Sequence, residues 1–130
     1  MMRAWRTDLS CGDVSSSPGP PDGTQIAFVS GGTAINVADA AGHVRTVATG
    51  PAGSQLHAPS WSPDGATIYY VQNFNAKSQL MTGGKPVFTG EEIFPFRIFW
   101  LSPDEYLYPA DGEIRRRSLT SAAAVRMRAA

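Results

Sequence analysis

A turn motif recurs along the chain at a nearly constant spacing, and this recurrence limits the folds that the chain can adopt. Pro21-Asp22-Gly23, Pro63-Asp64-Gly65 and Pro103-Asp104 place the three aspartates 42 and 40 residues apart. In such a turn, proline presets the φ angle, aspartate bonds to its own backbone, and glycine suits the exit. A run rich in β-branched and aromatic residues follows each turn, as expected for a strand. The spacing therefore predicts repeated units of short strands.

Each unit is predicted to form a meander of antiparallel strands. We expect strands over 24–30, 33–39 and 44–48, then from near His57 and over 68–71, 79–81 and 86–88, and finally over 94–100, 106–108 and 113–119. Asp111-Gly112 is a strong hairpin signal because this pair readily adopts the positive φ angles of a type I′ turn. Residues 26–29 and 68–71 are apolar at both alternating sets of positions. These strands are therefore expected to be covered on both faces.

The predicted fold class is all-β, a partial β-propeller of about three antiparallel blades that is either open or a fragment. A period of roughly 40–45 residues with four strands per unit is typical of propeller blades. We predict a flexible lead-in over 1–17, repeats over 18–120 (units 18–53, 54–90 and 91–120) and a frayed tail over 121–130, too short for a stable helix. Because closed propellers need at least four blades, we expect further blades or self-association to cover the outer faces.

Composition narrows the classes of partner. The chain has 11 basic and 11 acidic residues, so no global field draws it to nucleic acid or to an anionic membrane. It has no apolar run of about 18 residues, so no membrane span is expected. Cys11 is the only cysteine, which excludes an intramolecular disulfide. Protein partners remain the expected class.

The sequence contains no recognisable catalytic or metal-binding motif. A serine nucleophile elbow, Gly-x-Ser-x-Gly, is absent. The two histidines, His43 and His57, lie in different units, and with one cysteine they do not supply the three or four ligands of a zinc site. The recurring aspartates are explained by their turns rather than by acid–base catalysis. We therefore predict that the chain is not an enzyme and holds no cofactor or metal.

Six residues are predicted to take part in protein binding: His57, Trp61, Arg97, Trp100, Arg115 and Arg117. With few blades, some aromatic side chains should stay exposed, and exposed aromatics beside arginines are typical of protein interfaces. On a strand, Arg115 and Arg117 share one face and Arg116 the other, so an acidic partner could bind the pair. The alternative is a solvated edge strand that discourages strand addition.

The residues of the second unit resemble a known repeat family. Pro59-Ser60-Trp61-Ser62-Pro63-Asp64-Gly65 and then Ile68-Tyr69-Tyr70, together with residues 35–42 of the first unit, are similar to the repeat of TolB-type β-propellers. The resemblance extends from about Ser17 to Thr120. The first unit has Gly19 where Trp61 would align, and the third has Glu105 in place of glycine. Residues 94–114 resemble propeller segments of TolB-like proteins that also carry an amidohydrolase domain.

The resemblance implies a non-catalytic propeller segment that acts as a protein-binding or scaffold module. The alternative is the accessory propeller portion of a hydrolase, of the amidohydrolase or prolyl-oligopeptidase type, with its catalytic domain outside this chain. Homo-oligomerisation is possible in either case. The resemblance also implies an extracytoplasmic location, whereas residues 1–6 lead into no apolar segment of the signal-peptide type, so the compartment stays open.

Overall fold

The computed structural model describes residues 24–120 and 124–126, and within these residues the chain forms strands and no helix. The all-β prediction is thereby confirmed. The predicted lead-in over 1–17 lies outside the described residues. The strands are β1 (Gln25–Ser30), β2 (Ala34–Asp39), β3 (Val44–Thr49), β4 (Gln55–Trp61), β5 (Ile68–Phe74), β6 (Lys77–Thr82), β7 (Lys85–Pro86), β8 (Phe99–Ser102), β9 (Glu105–Ala110), β10 (Glu113–Ser118) and β11 (Ala124–Arg126).

The strands form three antiparallel sheets, each built from strands that are consecutive in sequence. The first sheet is β1-β2-β3, the second is β4-β5-β6-β7, and the third is β8-β9-β10-β11. Within each sheet, every strand after the first is hydrogen-bonded to the strand that precedes it in sequence. The predicted meanders are thus present in all three units.

The turns use the residues that the sequence singled out. Asp64 accepts hydrogen bonds from the Ser62 hydroxyl (2.6 Å) and the Ala66 N–H (3.0 Å), which lower the pKa of its carboxyl group. The Asp104 carboxylate likewise accepts a hydrogen bond from the Ser102 hydroxyl at 2.9 Å. Asp111 and Gly112 both have positive φ, 52° and 79°, as the predicted tight hairpin requires. Asp22 lies outside the described residues.

The second sheet is buried on both faces. Tyr70, Leu56 and Met81 pack against Ile35 of the first sheet. On the opposite face, Tyr69, Val71 and Leu80 pack against the third sheet. Because successive side chains of a strand point to opposite faces, β5 supplies residues to both interfaces. The expectation of two covered faces is therefore confirmed for residues 68–71.

An aromatic cluster joins the second and third sheets. Tyr106 has ring contacts with Tyr69 (centroids 6.3 Å apart), Trp100 (5.2 Å) and Tyr108 (5.7 Å). Tyr69 also meets Trp100 edge to face at 5.4 Å. Aromatic pairs in such tilted and edge-to-face geometry stabilise a core beyond the area that they bury. This interface fixes the third sheet on the second.

One predicted strand begins later in the structure, and a short strand lies within the predicted tail. The strand predicted over 94–100 begins only at Phe99, because Pro95 lacks an N–H group and the chain bends there, with the Phe96 N–H bonded to the Phe94 carbonyl at 2.7 Å. Within the tail predicted to be frayed, residues 124–126 are extended, and β11 pairs with β10. The remainder of that tail lies outside the described residues. No helix in the described part of the chain is long and apolar enough to cross a membrane.

Candidate protein-binding face

The third sheet has two faces, and its register assigns the side chains to them. Tyr106 is opposite Trp100 and Arg117 in the pairing, and all three lie on the inner face, toward the second sheet. The next row of paired residues lies on the opposite side, which we call the outer face: Phe99, Leu107, Arg116 and Val125, joined by Ile114 opposite Pro109.

The outer face is apolar and uncovered by the described residues. Along β9, every second residue is fully buried, beginning with Tyr106, and the residues between them are only half-buried. Phe99 is 65% exposed, and Ile114 and Val125 are each 46% exposed. Contiguous exposed apolar side chains of this kind mark interaction surfaces more often than isolated ones do.

The segment that precedes β8 deepens this face into a groove. Residues 94–98 run beside β9, and Phe94 and Phe96 are 62% and 64% exposed. The groove has a volume of about 860 Å³ and is lined by Phe94, Phe96, Phe99, Leu107 and Ile114, with Arg97 beside them. Aromatic residues and arginine are enriched in the cores of protein interfaces.

Backbone hydrogen bonds hold this segment against the third sheet. The Phe94 N–H donates to the Pro109 carbonyl at 3.0 Å, and Ile93 forms an isolated bridge with Ala110. The Ile93 N–H also donates to the Ser78 carbonyl of the second sheet at 3.1 Å. The wall of the groove is therefore tied to both sheets.

Behind the outer face, on the inner side of the third sheet, Glu91 is the centre of a charged network. Its carboxylate accepts hydrogen bonds from Arg115 Nη1 (2.7 Å), Arg117 Nη2 (2.7 Å) and the Tyr108 hydroxyl (2.9 Å). The Arg117 guanidinium also lies 3.8 Å from the centre of the Phe88 ring. Charge-assisted hydrogen bonds of this length are about twice as strong as neutral ones.

Arg115 completes the network through two further carboxylates. It donates to Asp111 at 2.9 Å and to Glu113 at 2.8 Å. Its hydrogen bond to Glu91, followed by that to Glu113, raises the pKa of the guanidinium. The solvated-edge alternative for this basic run is wrong, since β10 lies between β9 and β11 and both inner arginines are ion-paired. The predicted sharing of one face by Arg115 and Arg117 is confirmed.

The six residues predicted for binding are spread over different parts of the structure. Trp61 is buried against Ala27 and Val37 of the first sheet, and Trp100 packs in the aromatic cluster. His57 is half-buried, with its Nε2 atom 3.4 Å from the Asn73 side-chain nitrogen within the second sheet. Arg97 is exposed and lies in the groove. Arg115 and Arg117 lie in the network around Glu91.

Residues that the sequence did not single out form much of the face and its support. Ile114 and Val125 were not predicted, although alternation along β10 could have placed Ile114 opposite the inner arginines. No sequence signal identified Glu91, which precedes its two arginine partners by 24 and 26 residues.

The described residues contain no group of three or more histidine, cysteine, aspartate or glutamate side chains placed to bind a metal. The carboxylates of Asp64 and Asp104 are engaged in their own turns. Asp39 is used in the same way, accepting hydrogen bonds from the N–H groups of Ala41 and His43.

Comparison with known proteins does not assign this face. The chain matches no protein-family model, and comparison with curated proteins gives no significant match.

Proposed function

We propose that the chain is a non-catalytic segment of a TolB-type β-propeller, and that it acts as a protein-binding module through the outer face of its third sheet. The observation that carries the proposal is the exposed, aromatic-lined groove on that face. The propeller assignment rests on the 42- and 40-residue spacing of the turn motif and on the Trp-Ser-Pro-Asp-Gly corner.

The packing of the three sheets supports this proposal. Consecutive antiparallel meanders that contact one another through apolar faces are what adjacent propeller blades require. The second sheet has such contacts on both faces, with Tyr70 directed to the first sheet and Tyr69 to the third. The third sheet has a covered inner face and an apolar outer face, which a further protein surface would bury.

The chemistry of the groove, rather than its size, favours a protein as its occupant. A volume of about 860 Å³ is at the upper end of small-molecule sites, roughly 300–1,000 Å³. Beyond the groove, the outer face continues across Arg116 to the exposed Val125 at the far side of the sheet. Its side chains are mainly large and apolar rather than convergent hydrogen-bonding groups, which suits a complementary apolar protein surface.

Site-specific photo-cross-linking tests this function. Phe99 is replaced by a photoreactive phenylalanine analogue, and the same analogue at Val47, an exposed position of β3, serves as the control. In an extract of the native cells, we expect a defined cross-linked protein from position 99 and none from position 47. Introducing Ile114→Arg into the chain that carries the analogue should abolish the product from position 99.

Two results would contradict the proposal. One is the absence of any product from position 99, and the other is an identical set of products from both positions. Either would mean that the outer face has no specific protein partner.

A further inference from the structure

The first and second sheets have equivalent positions that show how one sheet is covered by the next. Val29 pairs with Ile35 in the first sheet, and Val71 pairs with Leu80 in the second. Val29 and Val71 are 42 residues apart, the same spacing as the turn motif. Val29 and Ile35 pack against the second sheet, and Val71 and Leu80 pack against the third. This apolar cross-strand pair thus faces the following sheet in both cases.

The third sheet also carries apolar side chains on its forward side, and the described residues do not cover them. Tyr106 and Tyr108 point back to the second sheet, as Tyr70 points back to the first. The residues that point forward are therefore Leu107 on β9 and Ile114 on β10, and these belong to the outer face. The outer face is the surface that a following sheet covers in the first two units.

The side of a sheet that packs against the preceding sheet can also be compared between units. The second sheet covers the first with Tyr70 and with Met81, the residue paired to it. The equivalent pair in the first sheet is Phe28 and Asn36. Phe28 is half-buried, and it belongs to none of the buried clusters that join the described sheets. Among the described residues, the outer face of the third sheet therefore has no covering sheet, and the side of the first sheet that carries Phe28 covers no other sheet.

We propose that the outer face of the third sheet binds the first sheet of a second copy of this chain, on the side that carries Phe28 and Asn36. This inference rests on the proposed function, and it names the partner. It continues the contact already formed between the second and third sheets inside one chain. Such a head-to-tail contact either closes into a ring or extends into an open assembly.

Two single variants test the inference, and each variant disrupts a different side of the proposed contact. Ile114→Arg places a charge on the outer face of the third sheet, and Asn36→Arg places one on the covering side of the first. Leu119→Arg is the matched control, because this exposed residue lies in the turn after β10. Circular dichroism and thermal unfolding of each variant confirm that it is folded before its mass is measured.

Light scattering over a dilution series measures the mass of the intact wild-type chain and of each variant in solution. We expect the wild type and Leu119→Arg to show at least twice the mass of one chain at high concentration, and each interface variant to show the mass of one chain. An equimolar mixture of the two interface variants should give a two-chain species. The unaltered outer face of the Asn36→Arg chain can bind the unaltered first sheet of the Ile114→Arg chain. The two altered surfaces carry like charges and do not bind each other, so no third chain is added.

Three results would overturn the inference. They are a wild-type chain that stays single at every concentration, an assembly that Ile114→Arg leaves intact, and a mixture in which the two variants remain single chains. The proposed function would survive any of these if cross-linking from position 99 captured a different protein. It would fail separately if position 99 gave no specific product.

Discussion

The two faces of the third sheet are built from the same strands but differ in what surrounds them. On the inner face, Tyr106 and Tyr108 are fully buried, and Arg115 and Arg117 form ion pairs with Glu91. On the outer face, Phe99 and Ile114 are largely exposed. The inner face gains its stability within the chain, whereas the outer face gains stability only when another surface covers it.

This difference separates the structural residues from the residues proposed for binding more clearly than residue type does. Both faces carry aromatic side chains and arginines, which are the residues that sequence analysis associates with protein interfaces. Trp100 and Arg117 hold the sheets together, while Phe99 and Ile114 are available to a partner. Whether another sheet covers a face, rather than which residues the face contains, distinguishes the two faces.

The largest expected effect compares two apolar residues at corresponding faces of neighbouring sheets. Leu80 is buried under the third sheet, and Ile114 is on the uncovered face. Leu80→Ala should lower the free energy of unfolding by about 3 kcal/mol, since it leaves a cavity in the core. Ile114→Ala should cost about 0.5 kcal/mol, as is usual for an exposed substitution.

Urea unfolding at a concentration at which the chain is monomeric measures both values. The prediction would be contradicted if Ile114→Ala lowered the free energy of unfolding as much as Leu80→Ala does under these conditions. That outcome would mean that another part of the chain covers the outer face.

A second prediction concerns the charged network on the inner face. Glu91→Gln removes the negative charge shared by Arg115 and Arg117, and it should lower the free energy of unfolding by about 2 kcal/mol. Glu92→Gln is the matched control, because Glu92 is exposed and is hydrogen-bonded through its backbone rather than its carboxylate. Equal stabilities of the two variants would show that the network contributes nothing to the inner face.

A third prediction uses two tyrosines on the same face of β9. The Tyr108 hydroxyl donates to Glu91, whereas the buried Tyr106 hydroxyl has no hydrogen-bond partner among the described residues. Tyr108→Phe should therefore destabilise the chain by about 1 kcal/mol, and Tyr106→Phe should stabilise it by about 1 kcal/mol. Thermal unfolding of the two variants measures the opposite shifts. Destabilisation by Tyr106→Phe would imply that its hydroxyl has a partner in solution.

Alkaline pH provides the fourth test. Burial raises the pKa of all four tyrosines, Tyr69, Tyr70, Tyr106 and Tyr108, above the ordinary value of 10.0. The folded chain then keeps protons that the unfolded chain releases, so these tyrosines leave the stability unchanged below pH 10 and lower it as the pH rises above that value. Phenolate absorbance should appear together with the loss of the β-sheet circular dichroism. Titration of tyrosines in the folded chain would contradict the burial of this cluster.

Local features of the fold were predictable from the sequence because they depend on neighbouring residues. The Asp64 and Asp111-Gly112 turns follow from side-chain chemistry within a few positions, and most strands follow from alternation and turn spacing. The strand start at Phe99 was misjudged because Pro95 outweighs the β propensity of its aromatic neighbours.

The roles of the arginines were less predictable because they depend on contacts between distant residues. Alternation placed Arg115 and Arg117 on one face, but it did not show that Glu91 lies against that face. Likewise, exposed aromatics were expected in the third unit, but only the sheet register separates Phe99 from Trp100. Tertiary packing supplied the information that composition and spacing lacked.

Hydroxyl-radical footprinting of the intact chain over a concentration series tests the contrast between the two faces most directly. Tyr106 and Tyr108 should resist modification at every concentration because the second sheet covers them. Phe99 should react in dilute solution and become protected as the chains associate. A Phe99 that is already protected in the single chain, or a Tyr106 that reacts as readily as Phe99, would contradict the account.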